Sequence, residues 1–87
     1  MNNNNEEQHI GQVTHYFDKL SVAIIKLSKP LRVGETLHYK GATTDCVQAV
    51  TSMEVDHQAI DEAKSGDEIG TKVDEKVREG DMVYKVQ

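Results

Sequence analysis

One cysteine, one proline, one phenylalanine and no tryptophan stand among the 87 residues of this chain, and each scarcity excludes something. Cys46 has no partner for an intramolecular disulfide, and no Cys/His set has zinc spacing. The four histidines, His9, His15, His38 and His57, never take the i, i+4 spacing of a helical metal site, and no calcium-loop core of the type Asp-x-[Asp/Asn]-x-[Asp/Asn]-Gly occurs. No metal and no cofactor are therefore expected. The longest apolar run, Val22-Ala23-Ile24-Ile25, is far short of the roughly 20 residues that cross a bilayer. The opening Met-Asn-Asn-Asn-Asn-Glu-Glu-Gln has neither the charge nor the apolar stretch of a leader, so a cytoplasmic location is expected. A Gly-x-x-x-x-Gly-Lys-[Ser/Thr] phosphate loop is missing, which excludes GTP binding and hydrolysis. At 9.7 kDa there is room for one small domain and none for a catalytic domain with a separate cofactor domain.

Positive charge is also in short supply. Residues 1–50 hold five bases and five acids, whereas residues 51–87 hold five bases and ten acids, which accounts for the whole net charge of −5. Broad electrostatic binding to nucleic acid needs a basic surface. RNA contact would have to come from a local patch in the first half.

Residues 1–8 are polar and lack apolar periodicity, which predicts a disordered tail followed by a single domain over residues 9–87. Within that domain the apolar residues recur with period two more often than 3.6. Val47, Ala49, Thr51, Met53 and Val55 describe one long half-buried strand with a lapse at Val50. Val33, Leu37 and Tyr39, then Ile69, Thr71 and Val73, then Met82, Tyr84 and Val86 describe three shorter ones. Residues 20–27 are apolar on both parities, as in a strand covered on both faces. Residues 10–16 are β-branched and aromatic but irregular in phase, which predicts a weak or bulged strand. Asp56–Lys64 contains good helix formers, yet its apolar anchors are too small for an isolated helix, and an extended loop is expected. Six short strands with Gly-marked links and no long helix predict an all-β fold, a small antiparallel barrel.

Three turns share one pattern: Leu31-Arg-Val-Gly34-Glu35-Thr-Leu37, Ala63-Lys-Ser-Gly66-Asp67-Glu-Ile69 and Val77-Arg-Glu-Gly80-Asp81-Met-Val83. In each, Gly takes a positive φ without steric cost, and the acid can accept loop N–H groups as the chain enters the next strand. These acids are expected to serve the turns.

With these turns, Val22-Ala-Ile-Ile-Lys-Leu, Val50-Thr-Ser-Met-Glu-Val, Ile60-Asp-Glu-Ala-Lys-Ser-Gly-Asp-Glu-Ile-Gly70 and Val77-Arg-Glu-Gly-Asp-Met-Val-Tyr-Lys-Val86 give the span Ile10–Val86 a family likeness. It resembles domain 2 of the translational GTPases, the β-barrel that follows the G domain in elongation factor Tu. It is also similar to the barrel that ends the collagenase-like peptidases, some of which modify RNA. The resemblance implies a closed six-stranded Greek-key barrel. It also implies a pocket for the aminoacylated end of tRNA, with a glutamate at Glu62 and apolar walls at Val22 and Val13. Gly11 stands where that pocket has an aromatic residue and offers no face for a terminal adenine to stack on.

Lys26, Lys29, Arg32 and Lys40 form the best local basic cluster and are the candidate phosphate contacts, with Tyr16, Phe17 and Tyr39 the nearest aromatics in sequence. Cys46 reads as a small buried thiol, because no His-Cys-acid set is recognisable around it. The expected function is a non-catalytic, stand-alone barrel that binds tRNA or ribosomal RNA through the 26–40 region and the loop at Glu62. The alternative is a protein-interaction module docking on an enzyme in trans, and an enzyme with a site around Cys46 ranks last.

Overall fold

In the computed structural model, which describes residues 7–86, the alternating segments are strands and no described residue is helical. They are β1 (Glu7–Phe17), β2 (Val22–Leu27), β3 (Leu31–Arg32), β4 (Thr36–Lys40), β5 (Asp45–Ala49), β6 (Met53–Val55), β7 (Gln58–Ile60), β8 (Glu62–Ala63), β9 (Glu68–Lys72) and β10 (Met82–Val86). The all-β reading holds. The polar tail, expected over residues 1–8, is shortened by β1, which already pairs Glu7 with Val86 and Gln8 with Lys85. The remainder of that tail lies outside the described residues.

Eight strands make one antiparallel sheet in the order β5-β4-β10-β1-β2-β9-β6-β7, and β3 pairs with β8 in a second. The main sheet does not close: no ladder joins its two ends, which corrects the expectation of a closed six-stranded barrel. The reason lies in the segment expected to be one long strand. β5 pairs with β4, whereas β6 pairs with β9 at the far side of the sheet, and Val50–Ser52 between them belong to no ladder. The inward parity also changes there. Val47 is 57% exposed while its neighbours Cys46 and Gln48 are half-buried; Val50 keeps their inward parity and is buried, and beyond the break the buried residue is Met53. The expected inward set Val47, Ala49, Thr51 is thus outward, because a register fixed by β4 on one side cannot continue into a register fixed by β9 on the other.

A side chain spans the gap. The Gln48 amide donates to the Lys72 carbonyl at 3.1 Å and accepts from the Asp74 N–H at 2.7 Å. Beside the β6–β9 pairing, Thr71 Oγ1 donates to the Ser52 carbonyl at 2.7 Å, which holds the chain just before β6.

The three Gly-acid turns are built alike. Gly34, Gly66 and Gly80 have φ of 100°, 96° and 92°, the left-handed conformation that a type II turn requires at its third residue. The acid that follows donates its N–H to the carbonyl three residues back, Glu35 to Arg32 (3.2 Å), Asp67 to Lys64 (3.0 Å) and Asp81 to Arg78 (3.1 Å). Its carboxylate accepts the N–H of that same residue at 2.8, 2.9 and 2.8 Å. Each turn also grips a distant strand or loop. The glycine N–H donates to the carbonyl of Val50, Leu27 or Val13, and the N–H of that same residue donates to the acid's carbonyl, all at 2.8–2.9 Å. The apolar residues flanking each turn are buried: Leu31 and Leu37, Ala63 and Ile69, Val77 and Val83. Val33, expected on a strand, instead sits at a turn corner and is exposed.

β1 is bulged as expected, with register shifts between His9 and Gly11 and between Val13 and His15. The 56–64 stretch is not a loop. Asp56 and His57, both at positive φ (52° and 66°), make a two-residue hairpin turn between β6 and β7. Asp and His tolerate this conformation better than most residues.

Two sets of substitutions test these devices by urea denaturation. Nothing lies within 4 Å of a Cβ added at Gly66 or Gly80, so Gly→Ala there reports conformational strain alone and is expected to cost about 1–2 kcal/mol. Asp81 is only 4% exposed, and Asp81→Ala, which strands the Arg78 N–H, is expected to cost about 2–3 kcal/mol. Gln48→Ala removes both bonds across the gap and is expected to cost about 1–2 kcal/mol.

Candidate functional site

Ladder register decides which of the expected site residues can act together. Lys26 on β2 lies opposite Gln12 of β1, Gln12 opposite Met82 of β10, and Met82 opposite Lys40 of β4. Lys26 and Lys40 therefore share one row on the outer face, three strands apart, or about 14 Å. Each has an acid on its other side: Glu68 opposite Lys26, and Asp45 opposite Lys40. Arg32 of β3 likewise lies opposite Glu62 of β8, while Lys29 is exposed in the loop after β2. Lys40 also stands 5.7 Å from the centroid of the Tyr84 ring. Lys26, Lys40 and Arg32 thus each have a carboxylate residue as a ladder neighbour, while the neutral Gln12 and Met82 separate Lys26 from Lys40.

The implied tRNA-end pocket does not assemble. Val13 is a core residue, 1% exposed, and Val22 points to the opposite face of the sheet. Gly11 is buried at the first β1 bulge, where a Cβ would meet the Lys26 carbonyl oxygen at 2.6 Å. No aromatic side chain fits there.

A different site emerges on the outer face of β2 and β9. Val22 and Ile24 are half-buried with no strand over them, contrary to the expectation that β2 is covered on both faces. Gly70 of β9, opposite Ile24, adds no side chain, and the result is an open groove of about 410 Å³. Phe17 and Leu20 wall it on the β1 side; Glu54, Asp56 and His57 wall it on the β6 side, and Glu68 lies at one end. Its signal was in the sequence: the both-parity apolarity of residues 20–27 marked side chains that something else could cover. Sheet order, which periodicity does not reveal, left that cover missing.

Four groups carry perturbed titrations. Burial, and after it the carboxylates of Glu75, Asp45 and Asp81, push the Cys46 thiol up, the wrong direction for a thiolate nucleophile. Tyr39, expected in the core, is buried, and that burial raises its phenol far above its usual range. His38 bridges two acids, Nδ1 to Glu7 at 2.7 Å and Nε2 to Asp45 at 2.5 Å. Hydrogen bonds to Asp45 and then Glu7 raise its pKa above 6.5 and lower that of Asp45. Among the described residues, no three His, Cys, Asp or Glu side chains are placed to hold a metal ion. No helix among them is long and apolar enough to cross a membrane.

Fold and groove together define a small all-β domain that presents an uncovered apolar strip instead of a cleft. No family model matches the chain. It is 43% identical over 76 residues to an uncharacterized protease of Methanocaldococcus jannaschii, covering 86% of this chain and 19% of that protein. It is 30% identical over 82 residues to a collagenase of Porphyromonas gingivalis, covering 92% of this chain and 23% of that one. The chain thus spans about a fifth of the length of these relatives. Two solved structures of the C-terminal domain of a Geobacillus thermoleovorans protein named as a U32 peptidase share the fold. The selenomethionine variant gives a TM-score of 0.83 at 16% identity over 87% of this chain and 96% of that one. The other gives 0.84 at 17% identity over 90% and 91%. These similarities fall on the peptidase side of the resemblance read from sequence, and none on the translation-factor side.

The His38 bridge has a definite pH signature. A group whose folded pKa exceeds its unfolded value stabilises the fold below the unfolded value and loses that contribution as pH rises through the folded one. Raising pH from about 6 to about 8 is therefore expected to lower Tm by a few degrees, the effect being small because the cluster is solvent-screened. Thermal melts of His38→Gln, which cannot titrate, are expected to lose this part of the pH dependence.

Proposed function

We propose that this domain is a non-catalytic protein-interaction module that works beside a peptidase-type catalytic domain, whether that domain is supplied by the same chain or another. The observation that carries this reading is the coverage. At 43% identity the matched segment is only 19% of a protein named as a protease, so most of that protein lies outside the match. The direction in which the Cys46 thiol is shifted supports a binding role over a catalytic one. The placing of Glu68, Glu62 and Asp45 as ladder neighbours of Lys26, Arg32 and Lys40 favours a protein partner over RNA. In the same reading the main sheet works as a barrel, its open side spanned by the chain at Val50–Ser52 and by the Gln48 hydrogen bonds.

Tagged protein purified from its own cells after nuclease treatment is expected to carry one stoichiometric protein with a peptidase-type catalytic domain, identified by mass spectrometry. Binding to tRNA or ribosomes in low salt, lost on charge reversal at Lys29 and Arg32, would overturn the reading in favour of RNA.

A further inference from the structure

The groove on β2 and β9 has two unlike walls. Phe17 and Leu20, 43% and 61% exposed, offer apolar surface on one side, and Val22, Ile24 and Gly70 make an apolar floor. The facing wall carries the carboxylates of Glu54 and Asp56 beside His57, and Glu68 adds a third carboxylate at the end. None of these three acids lies within ion-pair distance of a base among the described residues, and no Lys or Arg lines the groove. Lys26 and Lys72, at the next outward positions of β2 and β9, flank it without lining it. Glu68 accepts the Thr14 hydroxyl at 2.9 Å and lies opposite Lys26 in the β2–β9 ladder without forming an ion pair with it.

We propose that this groove receives a segment of a partner protein that presents a bulky apolar side chain beside a lysine or arginine. The apolar group rests on the Val22–Ile24–Gly70 floor and the cation lies against Glu54 and Asp56. Charge complementarity selects this occupant. A second copy of the chain in a two-fold contact would set the same carboxylates against one another. A nucleic acid would bring phosphates to an acidic wall. The assignment deepens the interaction-module reading by naming the chemistry of the partner, and it rests on that reading.

The test uses the full chain, isotope-labelled for NMR, and two probes: an alternating arginine–leucine hexapeptide and its glutamate–leucine counterpart. The basic peptide is expected to shift amide resonances of residues 17–24, 54–57 and 68–72 only, and the acidic one to leave them in place. Two variants follow. Glu54→Lys with Asp56→Lys reverses the acidic wall. Gly70→Val fills the floor, where an added Cβ meets Ile24 Cδ1 and Val22 Cγ1 at the ordinary contact distances of 3.4 and 3.5 Å, and valine suits a strand. Each is expected to weaken the basic peptide by about tenfold or more while the melting curve shows a folded domain. Equal binding of both peptides, no binding of either, shifts outside the groove, unchanged affinity in either variant, or self-association through this face would each overturn the proposal. A Gly70→Val chain that still carries the peptidase-type partner defeats the groove assignment and leaves the module reading standing. Peptide binding in the groove by a chain that carries no such partner does the reverse.

Discussion

A pair of backbone hydrogen bonds between a Gly-acid turn and a distant residue, used three times, sets the register of this fold. Each turn is rigid in itself, because its acid both donates to and accepts from the residue three positions back. Each then fastens to Val50, Leu27 or Val13, three buried residues from three different parts of the chain. A strand leaving such a turn has no freedom to slip by one residue, and a slip of one would turn its core face outward. Leu37, Ile69 and Val83, two residues beyond each acid, are buried for that reason. With a single cysteine and so no internal disulfide, a small core gains a single arrangement from polar contacts that leave no buried side-chain donor or acceptor unpartnered among the described residues.

Much of this was legible in the residues, because it is local. A glycine followed by an acid between apolar residues specifies a turn within seven residues, and the three such turns have the conformation and acid contacts that pattern demands. The bulging of β1 was legible in the same way, from apolar residues that fall out of phase. What escaped was everything decided by partners far away in sequence. Val47 and Cys46 exchange faces because β5 answers to β4 while β6 answers to β9, and alternation within 45–55 contains no trace of that change of allegiance. The Asp56-His57 hairpin escaped because it lacks the Asn-Gly or Asp-Gly pair that usually marks such turns.

The candidate site shows the same limit from the side of function. Lys26, Lys29, Arg32 and Lys40 are close in sequence, and proximity in sequence suggested a patch. Strand pairing then set Glu68 and Asp45 at the two ends of the row that holds Lys26 and Lys40, and Glu62 beside Arg32 in the second sheet. The groove arose by the opposite route, from residues scattered over β1, β2, β6 and β9 that no spacing rule would have gathered. Val22 and Ile24 share β2 with Ala23 and Ile25, and both faces of that strand are apolar, although only one of them is covered.

The break at Val50–Ser52 gives the molecule one place where chain length is negotiable. Inside a ladder, an added or deleted residue either forces a bulge or inverts a whole strand. Between Val50, which anchors the first turn, and Met53 no ladder counts residues, and the inward parity resets there, so an insertion at Thr51–Ser52 can be absorbed as a wider loop. Homologous domains should therefore tolerate indels at this position while keeping the distances between the three turns and their anchors, which makes it the natural point at which to graft a tag or a label into the domain.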